Sequence, residues 1–501
     1  MRFDNFYKDT ILLTISNLAT GILRFAFSII LSNKLGAEGL GLYSIIMPIY
    51  DLFCCVVCGG MIIAVSRKAA IFSGNKDYEN VNKLMHIAII FDLFWSIFIA
   101  IMVFFNSSFI ASFLIKDSRT LYSIEIICPA LVFVALSSVL KGYFYGTSKA
   151  KVPAYIDIFE KAIRICVIIG ILNIFVLKSM VQTISVVYAA LTFGELISFI
   201  MLYVAYLIYK GKLKTVTTHR ENNGQLLFDI LIVAVPLCVN GFLGSILNTA
   251  STLILPRRLV MAGINYDTAL ALIGKFTGMA LNITFFPMVV IMAMSTVLVP
   301  DISKSLSKKN YYALEKRITD VLKLSFYLGI ATMIICLCIP NNLGKLFFNR
   351  NDLGVFIVTS ALCLPITYAA ASTYSILSGL GKQTKILINS LLVSVEELVL
   401  LYVLAAIPSI NIYGFAITLF ITGLTSFLLN IYEINKDCPI VFSSTNALID
   451  IMMSIFVFLV LGIMNHLMSD TMLVFKTIVI IISGFLLYMF LTMIVKEKIQ
   501  A

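Results

Sequence analysis

Thr10–Ser32, TILLTISNLATGILRFAFSIILS, sets the frame for reading the whole chain. These 23 residues cover about 34 Å as a helix, enough to cross a hydrocarbon core about 30 Å thick. One full charge, Arg24, stands near the middle. Thr10, Thr14, Asn17, Gly21, Arg24 and Ser28 follow one another at steps of four and three, so they share one helical face, and Leu, Ile and Phe fill the rest. An arginine at mid-membrane costs about 2.5–3.5 kcal/mol on insertion scales, so this face is expected to look into protein or water. Two readings are open: a cavity that takes an anionic ligand on Arg24 and Asn17, or an Arg24 paired with a buried carboxylate.

The rest of the chain repeats this kind of sequence. Of 501 residues, 60% are hydrophobic and 13% charged, with a mean hydropathy of +1.00, whereas a soluble chain is about one quarter charged. The composition implies an all-α integral membrane protein of about 14 transmembrane helices. The spans read as 10–32, 42–65, 84–105, 121–145, 153–177, 182–209, 228–255, 269–299, 318–340, 353–378, 384–407, 411–432, 444–467 and 472–495. The longest polar link, Lys210–Gly224, leaves no room for a soluble domain between spans. The first span lacks a small-residue cleavage pattern and reads as an uncleaved helix.

Placing the N-terminus in the cytoplasm puts 23 of the 37 Lys and Arg residues on the cytoplasmic side, 8 on the other and 6 within spans. This bias predicts a cytoplasmic (inner) cell membrane protein with both termini inside. It also accounts for the net charge of +11 without nucleic acid.

An internal repeat is legible. KDYENVNKL (76–84) resembles KNYYALEKR (309–317), and GTSKAK (146–151) resembles GLGKQT (379–384), both 233 residues apart. NKLGAEG (33–39) resembles RRLVMAG (257–263) at a shorter offset of 224. The expected organisation is two six-helix lobes in parallel repeat, 1–220 and 221–437, plus two C-terminal helices in 438–501. Repeats of this kind imply an axis along the membrane normal and a site between the halves.

Several spans carry charges that lipid would not tolerate. In span five, Asp157, Glu160, Lys161 and Arg164 suggest pairs four apart, Asp157 with Lys161 and Glu160 with Arg164. They form either internal ion pairs or a charged wall of the cavity. The repeat sets Arg164 opposite Glu397, beside Glu396 in span eleven. Asp92 and Glu195 read as lone carboxylates, each a proton or cation site or a packing partner. Span seven has a small polar face through Asn240, Gly244, Asn248 and Thr252 and ends at Pro256-Arg257-Arg258; in span eight Lys275 shares a face with Gly278 and Asn282. Arg257, Arg258 and Lys275 lie on the outer side against the charge bias, so they either surround an anion or touch headgroups. Most cysteines sit in apolar runs as small hydrophobes, and Cys54-Cys55-x-x-Cys58, with no nearby histidine, is not expected to hold a metal.

The stretch 35–70 resembles the signature around the second span of the stage V sporulation protein B family. That family belongs to the flippases of the multidrug/oligosaccharidyl-lipid/polysaccharide exporter superfamily. The matching residues are Leu35-Gly36-Ala37-Glu38-Gly39-Leu40-Gly41-Leu42-Tyr43, Met47-Pro48-Ile49-Tyr50, Gly59-Gly60 and Ala64-Val65-Ser66-Arg67, with Leu298-Val299-Pro300-Asp301-Ile302-Ser303 as a second match. Met61-Ile62 departs from the Ile-Pro usual after the glycine pair. The resemblance implies a V-shaped transporter of two six-helix lobes for a polyprenyl-diphosphate-linked sugar, such as the peptidoglycan precursor lipid II. Related lipid II flippases use arginines in the first span and around spans seven and eight, where Arg24, Arg257, Arg258 and Lys275 stand here. A sporulation role is carried by the family name.

The expected function is therefore a flippase for a lipid-linked anionic saccharide in cell-wall or spore-cortex synthesis. Arg24, Asn17, Arg257, Arg258, Lys275 and Asn282 are the expected substrate ligands. Asp157, Glu160, Lys161, Arg164, Glu396 and Glu397 are coupling or cavity charges. A cation-coupled multidrug exporter of the same superfamily is the alternative, but exporters of this layout place an acid in the first span, and no carboxylate lies between Asp9 and Glu38. A membrane enzyme is less favoured: the outer loops offer only the dispersed Asp117, Asp267, Asp352 and Asp470, with no metal cluster, glycine-rich nucleotide loop or nucleophile elbow. The reading includes membrane lipids as partners, a monomeric transport unit, no cofactor, and coupling to a proton or sodium gradient or the membrane potential.

Overall fold

The computed structural model describes residues 2–174, 179–210, 221–307, 309–438, 444–469 and 472–500. Its first helix, α1 (Arg2–Cys58), reverses at Gly36, whose φ of 69° and ψ of −172° suit a residue without a Cβ. A straight helix would set Phe27 and Tyr43 about 24 Å apart along its axis; their ring centroids are 6.3 Å apart. The two arms of α1 are therefore the first two expected spans, lying side by side.

After the Gly59-Gly60 break come α2 (Met61–Gly74), α3 (Tyr78–Phe105), α4 (Leu121–Gly146), α5 (Lys151–Ile174), α6 (Met180–Lys210) and α7 (Asn223–Met261). They are followed by α8 (Tyr266–Phe285), α9 (Met288–Ser307), α10 (Tyr311–Cys338), α11 (Pro340–Phe348), α12 (Gly354–Ala361), α13 (Leu364–Gly379), α14 (Gln383–Leu404), α15 (Tyr413–Asn435), α16 (Ser444–Leu467) and α17 (Leu473–Gln500). The protein is an all-helical, multi-pass membrane protein. Hydrocarbon offers the backbone no hydrogen-bond partner, and a helix satisfies its amides internally.

Among the described residues, 12 stretches are long and apolar enough to cross a membrane, or 13 if α12 and α13, bent by 52°, form one span. Three differences separate this from the 14 expected. Leu13–Gly74 counts once although it reverses at Gly36. Helix α5 carries too much charge to count. The expected span 269–299 divides at Phe286-Pro287, because proline has no amide hydrogen to continue the ladder.

The chain packs as two compact units, Met1–Phe27 with Leu42–Leu253, and Ser28–Gly41 with Ile254–Ala501. This division departs from the expected 1–220, 221–437 and 438–501, and close backbone approach explains why. A Cβ on Gly59 would come 2.7 Å from Cys238 Cα, and one on Gly60 would come 2.5 Å from Ala234 O, so α7 seats against the first unit. In the second unit, a Cβ on Gly41 would lie 2.0 Å from Leu270 O and one on Gly274 1.9 Å from Ala37 O. The tip of the α1 hairpin is thus packed backbone to backbone on α8. The last two helices, α16 and α17, pack on α10.

Within each unit the repeat holds at the offset of 233. Helices α3 and α10 begin at Tyr78 and Tyr311 and end at Phe105 and Cys338; α4 ends at Gly146 and α13 at Gly379; α6 and α15 begin at Met180 and Tyr413. The helix-ending residues with positive φ recur as well, Lys76 with Lys309 and Ser148 with Gly381. So does the packing: a Cβ on Gly146 would meet Ser66 O and Ala69, and one on Gly379 would meet Val299 O and Ile302, the residues 233 further on. The core of the first unit gathers α2, α3, α4, α6 and α7 around Tyr143 and Phe144. That of the second unit gathers α9, α10, α13 and α15 around Ile302 and Leu377.

The glycine contacts generate a stability prediction. Gly274→Ala should lower the thermal midpoint of the purified protein, a loss of about 1–3 kcal/mol for overpacking. Gly170→Ala, where nothing stands within 4 Å, should leave it unchanged or raise it.

Candidate functional site: the intramembrane charges

The first unit holds a compensated charge cluster. Arg164 on α5 lies 2.5 Å from Glu160 and 2.9 Å from Glu195 of α6. Lys161 approaches Glu160 at 3.5 Å. Glu160 is buried, and its space is made by Gly194, where a Cβ would come 2.7 Å from Glu160 Oε1 and 3.2 Å from Arg164 Nε. The expected Glu160–Arg164 pair is present. The expected Asp157–Lys161 pair is not: Asp157 binds Lys141 of α4 at 2.8 Å, while Lys161 turns to Glu160. Pairs four apart on a helix gain only about 0.2–0.5 kcal/mol, too little to fix a side chain against a partner on a neighbouring helix. Glu195, read from sequence as lone, is a full partner of Arg164. With Lys141, Lys161 and Arg164 facing Asp157, Glu160 and Glu195, the cluster has no charge left over.

Arg24 and Asn17 are exposed on the first arm of α1. Among the described residues, no carboxylate lies within ion-pair distance of Arg24. Asp51 on the second arm, also exposed, is within electrostatic reach of Arg24. Sequence reading passed over Asp51. A lone acid inside the apolar run 42–65 was the available signal, but the reversal at Gly36 is what brings its arm beside that of Arg24. Ser28, from the same face as Arg24, is buried in the second unit. Its hydroxyl donates to Gly278 O at 3.0 Å and accepts from Asn282 Nδ2 at 2.9 Å. Asn282 thereby holds the hairpin tip.

The other expected ligands belong to the second unit. The Arg258 guanidinium lies 3.6 Å from the Tyr402 ring centroid and donates from Nε to Tyr402 O at 2.6 Å. Arg257 is half-buried. Lys275 stands on a π-helical segment, Gly274–Ala280, and pairs with Asp352 at 2.7 Å. Asp352 also takes both hydrogen bonds of the Arg350 fork, at 2.8 and 2.9 Å. Glu396 Oε1 accepts from Thr425 at 3.0 Å, its Oε2 is buried without a partner, and Glu397 is half-buried; among the described residues neither glutamate has a cation within ion-pair distance. The Arg164 cluster therefore has no duplicate around Glu397.

The Arg350 hydrogen bond, aided by Lys275, holds the Asp352 carboxyl well below its usual value of 3.8. A depressed carboxylate contributes stability that is present above the usual value and lost as pH falls through the folded one. Asp352→Asn should make the thermal midpoint fall less steeply with acidification below about pH 5 than in the parent protein. An unchanged slope would remove Asp352 from the acid response.

A model of the polysaccharide biosynthesis protein family matches residues 6–306. Stage V sporulation protein B of Bacillus subtilis (strain 168) is 25% identical over 443 residues, covering 88% of this chain and 85% of that protein. The lipid II flippase MurJ of the same organism is 21% identical over 415 residues, 78% of this chain and 76% of its own. A solved structure of lipid II flippase MurJ in an inward closed conformation has the same fold, with a TM-score of 0.74 at 15% identity over 98% of this chain and 100% of that one.

Proposed function

The chain belongs to the polysaccharide biosynthesis protein family, and from that premise we propose that it is a flippase for an anionic, polyprenyl-diphosphate-linked saccharide such as lipid II. The observation that carries this reading is Arg24: exposed, at mid-span, and without an acid within ion-pair distance among the described residues, while the neighbouring α5 cluster neutralises itself. A diphosphate must leave water to cross, and a guanidinium can take two of its oxygens at once. Asn17, two turns before Arg24, supplies further hydrogen bonds to that headgroup. Arg258 and Asn282 serve the architecture instead, through Tyr402 and Ser28. The lipid tail stays in hydrocarbon throughout, so only the headgroup needs a polar path. Alternating exposure of the Arg24 face to the two sides would then move the headgroup without chemical change.

The relatives' names support this substrate class, one being called a lipid II flippase and another a sporulation protein. A multidrug exporter of cationic cargo is disfavoured by a basic residue on the first arm. Glu396 and Glu397 are the carboxylates of the second unit that we assign to a coupling cation.

Charge-assisted hydrogen bonds contribute about 1.5–3 kcal/mol, so Arg24→Ala should weaken binding of a polyprenyl-diphosphate saccharide by about ten- to a hundredfold and abolish its flipping in proteoliposomes. Arg24→Lys, which keeps the charge and loses the fork, should retain part of both. Wild-type binding by Arg24→Ala would end the reading.

Both termini and the link Lys210–Gly224, of which residues 211–220 lie outside the described residues, are proposed to be cytoplasmic. A cysteine placed at Thr215 in a background without reactive cysteines should resist an impermeant thiol reagent in intact cells and react once the membrane is opened. Labelling in intact cells would invert the topology.

A further inference from the structure

Asp92 is the one carboxylate of the first unit, among the described residues, that burial removes from water entirely and that no hydrogen bond or ion pair compensates. It lies midway along α3, about 20 Å from either end, with a relative exposure of 0%. Both carboxylate oxygens are buried without a hydrogen-bond partner. Its neighbours offer little. From the second arm of α1, only the Cys58 thiol is in electrostatic reach; Ser138 of α4 donates its hydroxyl to Ala135 O. No charged side chain of α2 or α4 acts on Asp92. On α3 itself, Ser96 donates to Leu93 O, and Trp95 Nε1 donates to Val56 O.

The repeat shows that the fold does not need an acid here. The position 233 residues on is Ser325 in α10, equally buried at 1%. Helix α10 packs against α13 as α3 packs against α4. A neutral serine therefore fills the same structural place, and the carboxyl of Asp92 asks for another explanation.

An ionised carboxylate has about four acceptor sites and no donor. Leaving it dry and unpaired costs several kcal/mol, whereas the neutral acid costs that of one polar group. A metal or sodium ion would need several further oxygen ligands, and no group of three or more His, Cys, Asp or Glu gathers among the described residues. We propose that Asp92 is a proton-carrying site: it is the neutral acid in this conformation and gives its proton to water in a conformation that wets α3. The O–H bond breaks heterolytically, the proton passes to water, and the carboxylate is left charged and hydrated. Return to the dry state requires taking a proton back, which ties the conformational cycle to the proton gradient. The coupling part of this inference rests on the transporter reading above; the protonation state of Asp92 does not.

Two measurements test it. Infrared difference spectroscopy of the purified protein at neutral pH should show a carboxylic acid C=O band that disappears in Asp92→Asn and in Asp92→Leu, with the thermal midpoint maintained or raised in both, since each replaces a buried neutral group. An unchanged band, or a band already absent from the parent protein, would overturn the proposal whatever the protein transports. In proteoliposomes, flipping of a fluorescent polyprenyl-diphosphate saccharide should respond to an imposed pH gradient, and Asp92→Asn should lose that response. A variant that still follows the pH gradient would refute coupling through Asp92. Loss of a sodium-gradient response instead would assign a cation in place of the proton and overturn the proposal as stated. If the parent protein flips no such lipid, the substrate reading fails, and the infrared result alone decides Asp92.

Discussion

A charge left alone in hydrocarbon is too costly to keep, and the first unit is arranged around that constraint. Three acids and three bases on α4, α5 and α6 neutralise one another within ion-pair distance. Removing the side chain at residue 194 is what lets α6 approach the buried Glu160 and Arg164 closely enough for this to work. Against that balance, the exposed Arg24 and the buried Asp92 stand out, one presented to its surroundings and the other withdrawn from them. The first suits an anionic headgroup and the second a proton.

The same economy governs the helices. Glycines occur where two backbones meet, at Gly59, Gly60, Gly41, Gly274, Gly146 and Gly379, and a methyl group at any of them would collide with a neighbouring main chain or Cβ. In a bilayer, lipid tails compete with side chains for apolar contact, so close backbone approach is a principal source of helix association. The duplicated contacts of Gly146 and Gly379 indicate that the repeat preserves this packing even where the side chains have diverged. The charged residues are not duplicated: Arg164 has two acids, and its counterpart Glu397 has no cation within ion-pair distance among the described residues. Backbone packing is kept in both copies of the repeat while the Arg164 ion-pair cluster stands in one of them.

Much of the architecture was legible in one dimension because membranes impose simple rules. Apolar runs of about 20 residues must be helices, and a constant spacing between two polar links exposes a duplication that survives as identical helix starts and ends. The resemblance carried by residues 35–70 reached the family. The site was less legible. Spacing along α5 found Glu160 with Arg164, because those two are neighbours on one helix. It missed Lys141 and Glu195, which come from other helices, and it passed over Asp51.

Sequence by itself therefore determined the helical membrane class, the repeat, the family and the position of Arg24 on a polar face, since each follows from periodicity or local composition. Only the tertiary structure decided which charges are spent on one another. It turned the chain at Gly36 so that the two arms of α1 lie side by side, gave Asn282 to Ser28 and Arg258 to Tyr402, and left Asp92 dry without a partner. The physical reason is range: helical periodicity relates residues within a few turns, whereas the pairing of a buried charge depends on whichever helix packs beside it, and that is set by close contacts between segments tens to hundreds of residues apart.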